Sequence, residues 1–334
     1  MNPSVSIIVP CYNEETTIRF LLDAVLSQTY PRARIELVVS DGMSTDRTPE
    51  VIAAFQAEHP DLVVHVVNNP ARSIPSGLNQ AIRGSSGEII VRLDAHSMPI
   101  PEYIERCVLA LRSGKGDNVG GVWEIRPGAE TWIAKSISFA AAHPLGVGDA
   151  MYRLNTKSGA VDTVPFGSFY RTLIDKIGMF DETLLANEDY EFNTRVRESG
   201  GTVWLDPSIC SVYFSRSTLG KLAAQYWRYG FWKFKMLKRY PHTLRWRQAL
   251  PPLFVFFLFI LIVLSLFVVF ARYLLAAQLF GYYLILTLAG IKLSFKKKSG
   301  PLLPGLPLAI STMHMAWGLG FLWSAISGLF TKHG

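Results

Sequence analysis

Short runs of branched apolar residues alternate with segments of helical period through the first third of the chain. Val5 to Val9 (VSIIV) is apolar and is closed by Pro10. Ile35 to Ser40 (IELVVS), Leu62 to Val67 and Glu88 to Leu93 (EIIVRL) repeat that pattern. Runs of this length and composition predict strands buried on both faces. Between the first two, Thr16 to Ser27 places Ile18, Leu21, Leu22, Val25 and Leu26 on one helical face, with Asn13 or Thr16 available as a cap. Thr48 to Glu58, Ser76 to Arg83 and Pro101 to Arg112 predict further helices, and Pro49 suits a first turn. The alternation predicts an α/β domain with a mostly parallel sheet. Later elements are less regular. Trp132 to Ala142 and Asn187 to Ser199 read as helices, Asp162 to Tyr170 as extended, and Val203 to Leu205 and Ile209 to Phe214 as short strands.

The rear of the chain follows another rule. Leu253 to Phe270 (LFVFFLFILIVLSLFVVF) carries no charge over 18 residues, enough at ~1.5 Å per residue to cross most of a ~30 Å hydrocarbon layer. Residues 274–291 form a second apolar run, and 308–330 a weaker third one containing His314, Gly318 and Gly320. Three transmembrane helices are expected, with residues 251–334 as a membrane domain. Lys233, Lys235, Lys238, Arg239, Arg245 and Arg247 precede the first run, and Lys292, Lys296, Lys297 and Lys298 lie between the second and third. The link between the first and second holds one cation, Arg272. This asymmetry places the front domain and the lysine loop in the cytoplasm. The start MNPSVSIIVP lacks a basic leader, so no signal peptide is expected there. Residues 219–250 read as a basic amphipathic interface segment. Trp227, Phe231 and Phe234 share one face, with Lys221, Arg228, Lys235 and Arg239 about a quarter turn away.

Composition sharpens this division. The 334 residues are 49% hydrophobic and 18% charged, with a net charge of +7, which excludes a disordered chain. All 26 acidic residues lie at or before Asp206, leaving residues 1–206 at −8 and the remainder at +15. The positive total therefore marks a membrane face, and no nucleic-acid partner is expected of an acidic front domain. Cys11, Cys107 and Cys210 show no CxxC spacing, which excludes a disulfide scaffold and a thiolate zinc site.

Candidate chemistry concentrates where the strands end, because ligands of open α/β sheets bind beyond their carboxyl ends. Asp41 follows IELVVS and Asp94 follows EIIVRL. Asp41-Gly42 also reads as a tight turn. In Asp94-Ala95-His96 the first and third residues point the same way if extended, a carboxylate and an imidazole suited to Mn²⁺ or Mg²⁺. His96 as a loop histidine bonded to backbone is the plainer alternative. Glu188-Asp189 opens a helix, where acids also serve simply as dipole partners. No GxGxxG, Walker A or GxSxG pattern occurs, so a phosphate-bearing ligand would need a metal and cations such as Arg72.

Taken in order, SIIVPCYNEE, VVSDGMSTDRT, RLDAHS, ANEDYEF and QYWRYG resemble the inverting glycosyltransferases of family 2 over roughly residues 4–230. DAH in place of DxD, together with FGSFYR, is similar to the membrane-bound glucosyltransferases of bacterial exopolysaccharide assembly, of the succinoglycan type. The resemblance implies a GT-A fold over residues 1–218. It puts Pro10, Tyr12, Glu14, Asp41, Arg72 and Asp94 at a nucleotide sugar, UDP-linked and carrying glucose, and Gly77 and Asn79 near it. It puts a divalent cation, Mn²⁺ or Mg²⁺, on Asp94 and His96. Asp189, beside Glu188, becomes the catalytic base. Gln225, Arg228 and Tyr229 give QxxRY where processive members carry QxxRW, and these residues fall at the acceptor or its diphosphate.

The expected activity is transfer of a sugar, with inversion to a β-linkage, onto a polyprenyl-diphosphate-linked saccharide at the bacterial inner membrane. A processive polysaccharide synthase, a polyprenyl-phosphate sugar synthase and a membrane scaffold on a degenerate transferase domain are the alternatives. Product length separates the first, and acid lability of the product the second. Retention of Asp94 and Glu188-Asp189 argues against the third.

Overall fold

The computed structural model describes residues 2–154 and 157–330. In chain order the elements are β1 (Val5–Cys11), α1 (Ile18–Leu26), β2 (Ile35–Asp41), α2 (Thr48–Glu58), β3 (Val63–Asn68), α3 (Ile74–Arg83) and β4 (Ile89–Arg92). There follow β5 (Met98–Pro99), α4 (Tyr103–Arg112), β6 (Asn118–Arg126), α5 (Trp132–Ala141), α6 (Pro144–Val147), α7 (Met151–Leu154), β7 (Gly159–Ala160) and β8 (Ser168–Tyr170). The last are α8 (Thr172–Ile177), α9 (Glu188–Glu198), β9 (Val203–Phe214), α10 (Leu219–Leu237), α11 (Trp246–Ser265), α12 (Val269–Lys297) and α13 (Leu302–Phe330). They cluster into two units, residues 1–124 with 151–213, and residues 125–150 with 214–334. The grouping of 125–150 with the C-terminal helices has no signal in the sequence pattern.

The first unit is built on one sheet of order β3-β2-β1-β4-β8-β6-β9-β5, with β7 on β9. Its first four strands are parallel, as the branched apolar runs require: β1 pairs β2 and β4, and β2 pairs β3. Ile7, Val9, Leu37, Val39, Ile89 and Val91 pack with α1, α2 and α4 on one face, and Ile8, Val38 and Ile90 pack with α3 and α9 on the other. The expected mostly parallel sheet is corrected beyond β4. There β8 runs antiparallel to β4 and β6, and β9 antiparallel to β5 and β7, so the sheet is mixed. Strand β6 was not expected, because its Gly120-Gly121 dilutes the apolar signal. The glycines are used for close approach: a Cβ on Gly121 would lie 1.9 Å from the Ile209 carbonyl oxygen. The two short strands expected at 203–205 and 209–214 are one continuous β9 despite Pro207. Of the extended run expected from Asp162 to Tyr170, only Ser168–Tyr170 is strand.

In the second unit, α11 and α12 are long and apolar enough to cross a membrane, and they are the two such helices among the described residues. The hairpin expected at 271–273 lies earlier, at Leu266 to Val268, and Arg272 sits inside α12 with its Nε 2.8 Å from the Ser265 carbonyl. That turn is itself apolar, so hydropathy could not mark it. Helix α13, on the weaker third run, buries Leu306, Ala309, Ile310, Met313 and Ala316 among the surrounding helices. Residues 331–334 of the expected membrane segment lie outside the described residues.

Helix α10 starts at Thr218, whose side chain accepts from the Lys221 N–H. It is anchored on α13 by Leu222, Tyr226 and Gly230, while Trp227 stays exposed. A Cβ on Gly230 would lie 2.1 Å from the Trp317 carbonyl oxygen, and one on Gly320 2.3 Å from that of Trp227. The two helices therefore touch backbone to backbone. Lys233, one of the cations before the first apolar run, is buried, with Nζ 3.4 Å from the Thr243 carbonyl oxygen.

Candidate active site

The parallel strands end together. Cys11 pairs with Asp41 and Asp41 with Asn68, so the loops after β1, β2 and β3 leave the same edge of the sheet. The loops after β1 and β2 are laced to each other. Asn13 N–H donates to Ser44 Oγ at 2.9 Å, Asn13 Oδ1 accepts from Thr45 N–H at 2.8 Å, and Glu14 N–H donates to Thr48 Oγ1 at 2.7 Å. Asn13 adopts φ 54°, which an asparagine tolerates better than most residues. Asp41 is buried, and its carboxylate accepts from Ser44 Oγ at 2.6 Å and from Ser44 N–H at 3.1 Å. The carboxylate thus holds the turn. Arg72 caps the wall, with its guanidinium 5.7 Å from the centroid of the exposed Tyr12 ring. Pro10, Tyr12, Asp41 and Arg72 accordingly gather at one strand edge.

Asp94 stands two residues past the end of β4, next to β1 through the 3.1 Å bond from Leu93 N–H to the Ile8 carbonyl. A turn follows, closed by Ser97 N–H and Ser97 Oγ on the Asp94 carbonyl at 2.9 and 2.7 Å. His96 comes off that turn and meets Glu14: Nδ1 lies 3.0 Å from Oε1. The second oxygen of Glu14 accepts from the Thr17 hydroxyl. Glu14, expected at the nucleotide sugar, thus contacts His96.

The other side of the site comes from α9. Asn187 takes a left-handed conformation, φ 64°, and turns the chain so that Glu188 and Asp189 open the helix. Arg92, the last residue of β4, reaches across. Its Nη2 lies 2.8 Å from Glu188 Oε1 and 3.3 Å from Asp94 Oδ1. Arg92 and Glu188 are both buried, at 4% and 6% exposure. Burial alone would weaken the charge of this guanidinium, but Asp94, Glu188 and Asp189 surround it and hold its proton more firmly than usual. Its Nε and Nη1 are buried without a hydrogen-bond partner.

Asp189 is partly exposed, and its Oδ1 accepts from the Tyr190 N–H at 2.7 Å. Enclosure of the carboxyl, with the charge of Glu188 next, pushes its pKa up to about 6, against the opposing pull of Arg92. A carboxylate tuned toward neutrality, next to solvent, is suited to accept a proton.

The structure therefore brings Asp94, Glu188 and Asp189 together, although 94 residues separate the first two in sequence. The residue that joins them, Arg92, was missed. Its signal was a charge inside the apolar run EIIVRL, where burial demands a partner. Asn79, which the resemblance puts near the donor, braces the segment before α9. Its amide clasps the backbone of Phe180 in both directions, at 2.9 and 3.0 Å. Gly77 does lie against Pro10, with a built Cβ 3.2 Å from that ring. Gln225, Arg228 and Tyr229 belong to α10 in the second unit, where Gln225 Nε2 donates to the Tyr229 hydroxyl at 3.0 Å.

Among the described residues, no three His, Cys, Asp or Glu side chains assemble into a metal cage. A hard divalent ion at a diphosphate needs only one or two protein groups, the substrate supplying the rest. Asp94 offers an oxygen, and the Nδ1 of His96 bonded to Glu14 is the carboxylate–imidazole pairing that orients ligating histidines. The residues fit such an ion.

Comparison with known proteins matches residues 6–178 of the chain to a family model described as glycosyl transferase family 2. The chain belongs to glycosyltransferase family 2. It is a glycosyltransferase enzyme, with a GT-A-like mixed α/β sheet followed by C-terminal helices. The transferase is 27% identical over 320 residues to the succinoglycan biosynthesis protein ExoA of Rhizobium meliloti, covering 94% of this chain and 93% of that one. It is 26% identical over 331 residues to the dolichyl N-acetyl-alpha-D-glucosaminyl phosphate 3-beta-D-2,3-diacetamido-2,3-dideoxy-beta-D-glucuronosyltransferase of Methanococcus voltae, covering 97% and 98%. Among solved structures, the mannosyltransferase PcManGT of Pyrobaculum calidifontis, in complex with GDP-Man and Mn²⁺, aligns with a TM-score of 0.65 at 20% identity. That alignment covers 97% of this chain and 88% of that one, and it speaks for the fold.

Proposed function

We propose that the transferase is membrane-bound and moves a sugar, glucose on a UDP carrier, to a polyprenyl-diphosphate-linked saccharide in exopolysaccharide or cell-surface glycan assembly. The linkage formed is β. The observation that carries this reading is the convergence of Asp94 and Glu188-Asp189 on Arg92 beside the carboxyl ends of the parallel strands. A donor-side acid and an acceptor-side base then flank one reaction centre.

In this reading Pro10, Tyr12, Asp41 and Arg72 hold the nucleotide, and Asp94 with His96 holds a divalent ion, with Glu14 orienting the imidazole. When bound, that ion offsets charge developing on the departing diphosphate. Asp189 accepts the proton of the acceptor hydroxyl as it attacks the anomeric carbon from the face opposite the leaving group, which inverts the configuration. Glu188 stays paired with Arg92 and keeps Asp189 at the mouth of the site.

Three features support the lipid-linked acceptor. Two helices are long enough to cross a membrane, a cationic α10 precedes them, and two relatives are named for a dolichyl phosphate substrate and for succinoglycan biosynthesis. With α13 as a third span, residues 1–218 form the cytosolic transferase domain, 219–250 the interface segment and 251–334 the membrane domain at a bacterial inner membrane. The test incubates membranes containing the protein with a panel of nucleotide sugars and extracted lipid-linked saccharides, then weighs the lipid products by mass spectrometry. A gain of one hexose on a diphosphate-linked lipid is expected. Long polymer, or hexose on a lipid monophosphate, overturns the acceptor assignment.

A further inference from the structure

Helix α9 carries Glu188 and Asp189 in its first turn, yet little of it is apolar. Of its 11 residues, Tyr190, Phe192 and Val196 are the buried apolar ones. Apolar burial holds a helix against a sheet without aiming it, because the hydrophobic effect has no direction. Aim has to come from hydrogen bonds. The Arg92–Glu188 pair supplies one fixed point at the start of the helix, and a single point is a pivot.

A second fixed point lies seven residues further on, about 10 Å along the helix. Arg195 grips Glu191 with two nitrogens, Nε on Oε1 at 2.7 Å and Nη2 on Oε2 at 2.9 Å. Glu191 is 1% exposed, so the pair is aimed from within the protein. The same guanidinium reaches three successive carbonyls where α8 ends. Nη1 donates to that of Ile177 and, at 3.2 Å, to that of Gly178, and Nη2 donates to that of Met179 at 2.8 Å. Carbonyls at a helix C-terminus lack partners within the helix and carry partial negative charge, which a planar cation complements.

The gripped segment continues to α3. Asn79 donates from Nδ2 to the Phe180 carbonyl at 2.9 Å and to Glu182 Oε1 at 2.8 Å, and its Oδ1 accepts from the Phe180 N–H at 3.0 Å. The Phe180 ring stacks on Phe192 of α9, with 4.5 Å between centroids. Asn79 stands two residues past Gly77, which lies against Pro10 at the strand edge. Residues 177–182 thus form a strap between the helix that backs Pro10 and the helix that carries Asp189.

We propose that Arg195, Glu191 and Asn79 are positioning residues for Asp189. Through the strap they fix the direction of α9, and with it the place of the Asp189 carboxylate. The proposal rests on Asp189 being the base, as read above. The three residues act through that carboxylate rather than on the reacting atoms. A displacement of about 1 Å at a reacting group lowers a rate by roughly 10²-fold, so a helix free to pivot would lose most of its activity.

The experiment measures hexose transfer from UDP-glucose to extracted lipid-linked saccharides by membranes containing the full chain. Glu191→Leu with Arg195→Met removes the ion pair without stranding a buried charge. Asn79→Leu cuts the strap at its other end. Each change should lower kcat about tenfold or more while KM for UDP-glucose stays within about twofold. Arg195→Lys, one amine in place of a planar fork, should fall between these and the unaltered protein. The deciding arm repeats the changes in Asp189→Asn protein, where residues that act through Asp189 should cause no further loss. A cooperative melting transition identifies folded protein in every arm. Unchanged kcat in folded Asn79→Leu and Glu191→Leu/Arg195→Met protein overturns the proposal. An equal further loss in the Asp189→Asn background also overturns it, because general loosening does not depend on the base. Full transfer by Asp189→Asn protein alone is the separate failure of the base reading.

Discussion

Arg92 at the end of a strand and Glu188 at the start of a helix are joined by a 2.8 Å ion pair, 96 residues apart in the chain and sealed from water. The same guanidinium nitrogen also faces Asp94. One buried cation thus fixes the spacing between Asp94 at the end of the parallel strands and Glu188 at the start of α9.

Removing that cation leaves buried carboxylates facing one another. Arg92→Met is expected to lower unfolding stability by about 3–5 kcal/mol, the range for breaking a buried pair on one side. Glu188→Gln should cost less, because a glutamine carbonyl still accepts from Arg92. Denaturation of both variants in the same detergent checks the ranking, and equal losses would contradict it.

As the proposed base, Asp189 should couple activity to pH. Only its ionised form accepts a proton, so transfer should rise with pH through about 6. Glu188 raises this pKa by its charge, so Glu188→Gln should move the acidic limb to lower pH. Asp189→Asn should reduce transfer by 10²-fold or more, roughly the contribution of a positioned base, while nucleotide-sugar binding survives. A rate profile flat from pH 5 to 8 contradicts the assignment.

The same residue makes an opposite prediction for stability. A carboxyl whose pKa is raised in the fold stabilises it most at low pH and loses that contribution as pH rises through about 6. Asp189→Asn should therefore raise the melting temperature at pH 8, with the gain shrinking as pH falls toward the ordinary carboxyl range. The inactive variant should be the more stable one, and melting curves across pH read this directly.

Metal dependence should follow the Asp94, His96 and Glu14 chain. EDTA should abolish transfer, and Mn²⁺ should restore it. His96→Ala should raise the Mn²⁺ concentration needed for half-maximal rate. Glu14→Gln should raise it about 10–100-fold, as loss of an orienting partner does elsewhere. A Mn²⁺ titration unchanged in Glu14→Gln would return Glu14 to the nucleotide.

Much of the first unit was legible because β1, β2 and β4 are buried on both faces, whereas the edge strand β3 is largely exposed. Val5–Cys11, Ile35–Asp41 and Ile89–Arg92 announce themselves as unbroken branched runs, and Thr48–Glu58 as a helix with its proline in place. Asp94 and Asp189 were legible because each immediately follows a recognisable element boundary. The rest depended on distances that no pattern encodes. Arg92 looked like one charge in a strand until α9 supplied its partner. Strand β6 hid behind the glycines that let it approach β9. The α11–α12 hairpin turns on Leu266, Phe267 and Val268, where an apolar turn in an apolar run leaves no trace.

The glycine contacts between α10 and α13 give the charged helix a rigid mount. An interface helix held only by lipid would ride at the headgroup level whatever the bilayer beneath it. Here Gly230 and Gly320 allow backbone contact, so α10 must travel with α13. In the proposed placement, with α13 as a span, a change of bilayer thickness is accommodated in part by tilting. Lys221, Arg228 and Lys235 would then rise or sink with it, like keys on a lever. In the proposed membrane placement, acyl-chain length, with no change in protein sequence, would control how deeply those cations reach.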